Sequence, residues 1–286
     1  MVRLTVLNNM AGGEFRESFD RQAEWGIEVL DLKDALFGKA IEALSVEEAE
    51  QVAQAAHARG LSVHTMSTCL FHGDIEMGEA AFRERYRTGF NNLLRIAPVL
   101  RPAQVRLLMA GTSRRADVLD SSVYLEAVHP WVFDVYREAV DALADAGFKA
   151  VIENEVGKCL FSTPHEVVRF FSILARPGRV SLIWDVQNLW QMGTFPSLEV
   201  YEALKPVIGM LHVKGGRADY PGGRLKWRSK LQDASWPVIP ILEAAIADGK
   251  SDVVCLNPSH GEPPEGYCHD FKADLDYLRA SIKEIK

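Results

Sequence analysis

The sequence has few cysteines, and their spacing marks no cysteine-based site. The 286 residues include four cysteines, which form no Cys-x-x-Cys pair: Cys69, Cys159, Cys255 and Cys268. Small disulfide-stabilised domains are dense in cysteine, and zinc ribbons need paired cysteines, so both classes are excluded. This cysteine usage is typical of a reduced intracellular chain, and we expect a cytoplasmic protein.

Long apolar runs are also missing. No stretch of the sequence approaches the ~20 apolar residues of a membrane helix. The first residues, Met-Val-Arg-Leu-Thr-Val-Leu, are typical of a strand and lack the apolar centre of a signal peptide. We therefore expect no membrane association.

Positive charge does not dominate the chain. It has 32 Lys and Arg against 39 Asp and Glu, a net charge of −7, so nucleic acid is repelled on average and is not an expected partner. One segment is locally basic, and a solvated loop and a loop for an anionic substrate are both open interpretations of it. Its basic residues are Arg217, Arg224, Lys226, Arg228 and Lys230.

Three common catalytic motifs are absent. No Gly-x-Gly-x-x-Gly follows the first apolar run, which excludes the usual dinucleotide-binding unit. No P-loop and no Gly-x-Ser-x-Gly elbow occurs either. The chemistry must therefore come from side chains placed by another architecture.

Eight short apolar runs alternate with helix-forming segments. Several runs are continuous rather than alternating, which is typical of parallel strands covered on both faces. This order predicts an α/β fold, a single (β/α)₈ TIM barrel domain over residues 1–286, with a doubly wound open sheet as the alternative. The runs are 4–7, 27–32, 61–66, 105–109, 150–153, 180–185, 208–213 and 253–256.

Helix boundaries are marked in several places. Ser45-Val-Glu-Glu48 and Thr163-Pro-His-Glu166 both have the capping-box pattern that begins a helix. The C-terminal segment predicts an amphipathic helix, because apolar residues recur at spacings of 4, 3, 4 and 3. These residues are Phe271, Leu275, Leu278, Ile282 and Ile285.

Polar side chains end four successive strands. They are Glu153, Asp185, His212 and Asn257 on the fifth to eighth runs. In such barrels the reactive groups lie at the carboxyl ends of the strands, so these four should meet at one rim. Two carboxylates and an imidazole are ligands for a divalent ion such as Mn²⁺, Co²⁺, Mg²⁺ or Zn²⁺.

The strand-end motifs resemble those of the xylose isomerase-like TIM barrel superfamily of sugar isomerases and epimerases. The motifs are Val-Ile-Glu153-Asn, Trp-Asp185-x-x-Asn188 and Leu-His212-Val-Lys214. The resemblance implies a divalent metal bound by Glu153, Asp185 and His212, and a small sugar-like substrate. It also implies a homo-oligomer, since relatives are commonly dimers or tetramers.

Two positions depart from the family pattern. Asn188 stands where the family usually has His, and Asn257 stands where it usually has a second metal-binding Glu. An amide oxygen still ligates a metal but carries no charge, so Asn257 predicts weaker metal affinity. It also cannot act as a base, which disfavours epimerisation by two opposed carboxylates.

Chemistry with one base remains open. An isomerisation, or a dehydration like that of inosose dehydratase, needs a base on one face and a polarised carbonyl. We predict that Glu153 is the base and that Lys214 steadies or protonates the developing oxyanion. We predict that the substrate-binding residues are Asp31, Lys33, His64, Asn188 and Arg217.

Two other interpretations compete with this one. A barrel that has lost catalysis and serves as a binding or partner subunit would account for Asn188 and Asn257. A hydrolase of the endonuclease IV type would need a multi-metal cluster with many histidines, and only four lie near predicted strand ends. A divalent-metal-dependent isomerase or epimerase is the function that we predict.

Overall fold

A computed structural model describes residues 1–285 and places eight strands in one parallel sheet. Each of the eight predicted runs overlaps one strand, and β6 to β8 have the predicted bounds. The order around the sheet is β1-β8-β7-β6-β5-β4-β3-β2. Strands β1 to β8 are Arg3–Val6, Val29–Leu32, Ser62–Ser67, Gln104–Leu108, Lys149–Glu153, Val180–Asp185, Ile208–Val213 and Val253–Leu256.

Helices follow most strands and pack outside the sheet. None of the helices in the described part of the chain has both the length and the apolarity to cross a membrane. Helices α1 to α11 are Asn8–Ala11, Phe15–Glu24, Val46–His57, Glu79–Leu100, Ser121–Val128, Trp131–Asp145, Pro164–Leu174, Val186–Gln191, Leu198–Leu204, Val238–Ala247 and Phe271–Ser281.

Both predicted capping boxes form. The side chain of Ser45 accepts a hydrogen bond from the amide of Glu48 at the start of α3, and Thr163 does the same for Glu166 at the start of α7. In each case the glutamate accepts a hydrogen bond from the cap residue in return. These bonds satisfy amide groups that the first helical turn leaves unpaired, which fixes where each helix begins.

The sheet curves until its two edge strands meet. Leu7 and Asp31 form a parallel bridge between the ends of β1 and β2. The Thr5 hydroxyl donates a hydrogen bond to the carbonyl of Val29 at 2.7 Å. These contacts nearly close the sheet, so the barrel prediction is confirmed and the open sheet is wrong.

The barrel interior is largely apolar, whereas its carboxyl end is charged. An inner apolar cluster fills much of it, and Gln104 bonds Thr65 within the same space. Acidic and basic side chains are concentrated at the carboxyl ends of the strands. The cluster consists of Leu7, Val29, Val151, Ile183, Met210, Val253 and Cys255.

The predicted C-terminal helix is shorter than its apolar pattern. Helix α11 ends at Ser281, and Ile282 has an extended φ of −127°. Ile282 and Ile285 are still buried. The helical prediction for these two residues is wrong because the tail pairs with the N-terminus, where the amide of Val2 donates to the carbonyl of Glu284 at 2.7 Å.

We expect Tyr136→Phe to destabilise the barrel by about 1–3 kcal/mol, because it leaves two buried backbone groups unpaired. The Tyr136 hydroxyl donates to the carbonyl of Leu108 at 2.6 Å and accepts from the amide of Ala110 at 2.9 Å. Urea unfolding measures the loss. Tyr277→Phe, on the half-buried face of α11, is the matched control with a change within about 0.5 kcal/mol; equal losses would contradict this role.

Candidate functional site

Three side chains from neighbouring strands converge at the carboxyl end of the barrel. Glu153 ends β5, Asp185 ends β6 and His212 lies near the end of β7, in register with Asp185. One ligand atom from each lies within 4.8 Å of the other two. All three side chains are at most 2% exposed.

Asp185 is held by the backbone around it. Its Oδ1 accepts hydrogen bonds from the amides of Gln187 and Asn188, which caps α8. The side-chain amide of Asn154 both donates to the carbonyl of Asp185 and accepts from its amide, each at 2.9 Å. Oδ1 is thus used for capping, and Oδ2 remains for the site.

Glu153 lies between two basic groups. Its Oε1 is 2.8 Å from Nδ1 of His212, and its Oε2 accepts a hydrogen bond from Nη1 of Arg106 at 2.6 Å. Burial alone would raise the pKa of Glu153, but His212 and Arg106 outweigh it and hold the pKa well below its usual range. Glu153 is therefore ionised at neutral pH.

Lys214 pairs with Asp185. Its ammonium lies 2.7 Å from Oδ2 of Asp185 and donates a hydrogen bond to Oδ1 of Asn188 at 2.9 Å. Lys214 is buried, with its side chain 5% exposed. The predicted catalytic lysine thus contacts a predicted metal ligand and the predicted substrate-binding residue Asn188.

His212 is central to the cluster. Its Nε2 lies 3.3 Å from Oδ2 of Asp31, and its Nδ1 lies 3.1 Å from Nδ2 of Asn257. Burial would lower the pKa of His212, but the charges of Glu153 and Asp31 outweigh it and raise the pKa to about 9. Without a metal, the ring is therefore cationic at neutral pH.

The buried charges in this cluster balance. Three carboxylates (Asp31, Glu153 and Asp185) face three cations (Arg106, Lys214 and the protonated His212). A buried charge without a partner costs several kcal/mol, so each group depends on its counterion. A divalent cation entering here would compete with these internal cations.

The donor set nevertheless fits a metal ion. Oδ2 of Asp185 is buried and has no hydrogen-bond partner of good geometry in the described structure, although Lys214 is near it. Two carboxylates and an imidazole within 4.8 Å form a possible ligand cluster. Asn257 lies beside this cluster, next to His212, and offers a neutral amide.

Loops from three strands are tied together above the cluster by Gln187. Its side-chain amide donates to the carbonyl of Gly215 and to the hydroxyl of Ser259, and accepts from the amide of His260. Gly216 has a φ of +123°, and a Cβ there would lie 2.6 Å from Nε2 of Gln187. Glycine is therefore needed for this close approach.

The long loop over residues 215–230 is a short ribbon. Arg217 and Trp227 form an antiparallel bridge, and the amide of Arg228 donates to the carbonyl of Glu262 in the segment after β8. Arg217 itself is exposed, whereas the residues of the cluster are buried. The ribbon and the segment after β8 form one cover over this end of the barrel.

The predicted substrate-binding residues have different positions. Asn188 lies in the cluster, while Asp31 is fully buried behind His212. Lys33 lies in the loop after β2, with its ammonium 3.9 Å from Asp34. None of these placements identifies a substrate contact by itself.

His64 lies away from the others. It contacts Thr65, and its Nε2 is 3.7 Å from Asp252, the residue before β8. This position is at the amino ends of the strands, so the predicted role of His64 in binding substrate does not fit the structure. The strand was assigned correctly, but His64 lies at a register shift between β2 and β3 rather than at the strand end.

Sequence reasoning did not identify several residues that hold the cluster. Ser67 bonds Asp31, and Asn154 and Gln187 fix Asp185 and the loops. Each is a polar residue at or just after a strand end. That signal was present, but it did not separate structural partners from ligands.

The chain belongs to the xylose isomerase-like TIM barrel family, whose model matches residues 19–277. No curated protein matches it at a significant level. Similar folds include the apo 3-keto-D-glucoside 4-epimerase YcjR from E. coli, with 15% identity, a TM-score of 0.73, and coverage of 98% of this chain and 100% of that one.

Two further solved structures are similar. A xylose isomerase-like TIM barrel protein from Mycobacterium smegmatis in complex with magnesium has 16% identity and a TM-score of 0.71, covering 98% and 96% of the two chains. D-psicose 3-epimerase with D-tagatose from Clostridium cellulolyticum H10 has 14% identity and a TM-score of 0.71, covering 98% and 99%. At these identities the likeness shows the fold.

We expect Arg106→Met to destabilise the protein by about 3–5 kcal/mol, because it leaves Glu153 buried without its guanidinium partner. Urea unfolding measures this loss. Arg83→Met is the matched control, since Arg83 contacts Glu138 at the same 2.6 Å but on the surface. It should cost at most about 1 kcal/mol, and a similarly small cost for Arg106→Met would contradict the dependence of Glu153 on Arg106.

Proposed function

We propose that the protein is a divalent-metal-dependent isomerase or epimerase-like enzyme for a sugar, a cyclitol or a small hydroxy-carbonyl compound. The observation that carries this proposal is the convergence of Glu153, Asp185 and His212, with ligand atoms within 4.8 Å of one another. Membership of the xylose isomerase-like family supports it. The epimerase names of the similar structures support a sugar-like substrate.

In this proposal Glu153, Asp185 and His212 hold the metal, and Asn257 joins them through its amide oxygen Oδ1. A bound divalent ion would polarise a substrate carbonyl and make the neighbouring C–H more acidic. We expect weak affinity for two reasons. Asn257 contributes no charge, and Lys214 already pairs with Oδ2 of Asp185.

In this proposal Glu153 is the base that removes the proton from the substrate carbon. Its carboxylate is ionised, which is the protonation state that a base requires. The low pKa makes it a weak base, so the reaction needs an acidified C–H. Lys214 is a buried ammonium close to Asp185, and it is placed to donate a proton or a hydrogen bond to the developing oxyanion.

Proton transfer on one face is favoured over exchange between two faces. An amide at Asn257 has no useful proton affinity, so no carboxylate stands opposite Glu153 on β8. An aldose–ketose isomerisation, or a dehydration next to a carbonyl, needs only one base. We therefore favour these reactions over a two-base epimerisation.

A binding or partner subunit is the second candidate. The observation that favours it is the charge balance, since Arg106 and Lys214 neutralise Glu153 and Asp185 without a metal. Such a barrel would keep its fold and bind a ligand or partner without turnover. Metal titration and hydrogen exchange in D₂O separate such a subunit from an enzyme.

We expect stoichiometric binding in a Mn²⁺ or Co²⁺ titration with elemental analysis, and loss of that binding in Glu153→Gln and in His212→Ala. Asn257→Glu should tighten binding by about tenfold, equivalent to about 1.4 kcal/mol, because it adds a charged ligand. Glu138→Gln, a surface change on α6, is the control with unchanged affinity. No binding at millimolar metal would overturn the metal-dependent proposal.

We expect the metal-loaded protein to exchange the hydrogen next to the carbonyl of a ketose, an inosose or a hydroxy-ketone in D₂O, as followed by NMR. Glu153→Gln should reduce the exchange to the level of the metal-free protein, because it removes both the base and a metal ligand. Ligand binding without exchange for any compound of the panel would favour the binding subunit instead.

A further inference from the structure

We infer that Asp31 is a positioning residue for His212, anchored by Ser67, and that it sets the metal affinity of the cluster. The inference rests on the proposed function, since it concerns how His212 presents its ring to the other ligands. It also gives Asp31 a role different from the substrate contact predicted from the sequence.

The two ring nitrogens of His212 face different partners. Nδ1 faces the proposed ligand set, 2.8 Å from Oε1 of Glu153 and 3.1 Å from Nδ2 of Asn257. Nε2 faces Oδ2 of Asp31 at 3.3 Å. Both atoms are buried, and neither has a hydrogen bond of good geometry to any described residue, although each is the other's near neighbour. The ring therefore has one nitrogen for the metal and one for Asp31.

Asp31 is itself held in place. Its Oδ1 accepts a hydrogen bond from the hydroxyl of Ser67, the last residue of β3. Asp31 lies on β2, directly after a register shift against β3, and it also bridges to Leu7 of the neighbouring chain segment. Asp31, His212 and Ser67 have no exposed surface, so substrate cannot reach Asp31 without displacing His212.

A carboxylate that accepts a hydrogen bond from Nε2 of a histidine changes how Nδ1 of the same ring binds a metal. When Nε2–H points at Asp31, the Nδ1 lone pair is left for a metal, and the ring is both more basic and fixed in orientation. Removing such a partner typically costs about 10–100-fold in metal affinity. Ser67, Asp31 and His212 thus form a chain that extends from β3 to the proposed metal.

A second possible metal position lies on the Nε2 side of the His212 ring. Asp31, His212 and Cys255 also have ligand atoms within 4.8 Å of one another, so a metal on Nε2 is the competing arrangement. The positioning role is favoured because Nδ1 is the nitrogen that lies 2.8 Å from Glu153, and because Cys255 is a poor source of thiolate. Burial raises the pKa of the Cys255 thiol well above its usual value.

The test is a Co²⁺ and Mn²⁺ titration of the full chain with Asp31→Asn and Ser67→Ala. We expect Asp31→Asn to weaken binding by about 10–100-fold and Ser67→Ala to weaken it less, in the same direction. Imidazole ¹⁵N shifts of His212 in the metal-free protein should show a hydrogen-bonded Nε2–H, and Asp31→Asn should weaken that bond because it replaces a charged acceptor with a neutral amide. Thermal unfolding of the metal-free variants checks that they are folded.

Two buried residues that contact none of Ser67, Asp31 and His212 are matched controls. Asp274, on α11, accepts a hydrogen bond from the amide of Leu231, and Ser181 lies near the amino end of β6. Asp274→Asn and Ser181→Ala should leave metal affinity within about twofold, the level expected for changes that touch no ligand.

The possible outcomes are distinct. Equal affinity in the unsubstituted chain and Asp31→Asn would overturn the positioning role and leave the metal proposal intact. A thiolate-to-cobalt absorption band that Cys255→Ser abolishes would place the metal on the Nε2 side of His212. That result would overturn the positioning role of Asp31. No metal binding in the unsubstituted chain would overturn both the proposed function and this inference.

Discussion

The charged cluster at the carboxyl end of the barrel depends on the neutralisation of three buried carboxylates. Asp31, Glu153 and Asp185 have almost no contact with water, and each is close to a basic group. Removing one partner from a buried pair leaves a charge that neither solvent nor relaxation compensates well. This constraint places Arg106 beside Glu153 and Lys214 beside Asp185, and it limits how readily a further cation enters.

The parallel barrel makes such a cluster possible. Successive strands deliver their last inward-facing residues to one end, and the register places Asp185 beside His212 and His212 beside Cys255. The surrounding backbone then fixes the orientation, as when Asp185 caps α8 with one oxygen and keeps the other for the site. The apolar inner cluster occupies the remaining interior, so the charged groups have little room to rearrange.

Asn257 is a neutral residue beside the charged cluster. The amide fits at the end of β8, where its Nδ2 lies 3.1 Å from Nδ1 of His212. Its side chain adds no charge, and the three buried carboxylates are paired with internal cations. A family fold therefore does not by itself establish family chemistry, because the reaction depends on the charge of the ligand set.

The sequence by itself determined the eight strands, both capping boxes and the convergence of Glu153, Asp185 and His212. These follow from local hydrophobic pattern and from the rule that parallel strands end at one rim. Only the tertiary structure decided that Asp31 lies behind His212, that His64 lies at the opposite end, and that the tail leaves its helix after Ser281. A one-residue register shift between β2 and β3 and the pairing of the tail with Val2 set these positions, and both depend on contacts between distant segments.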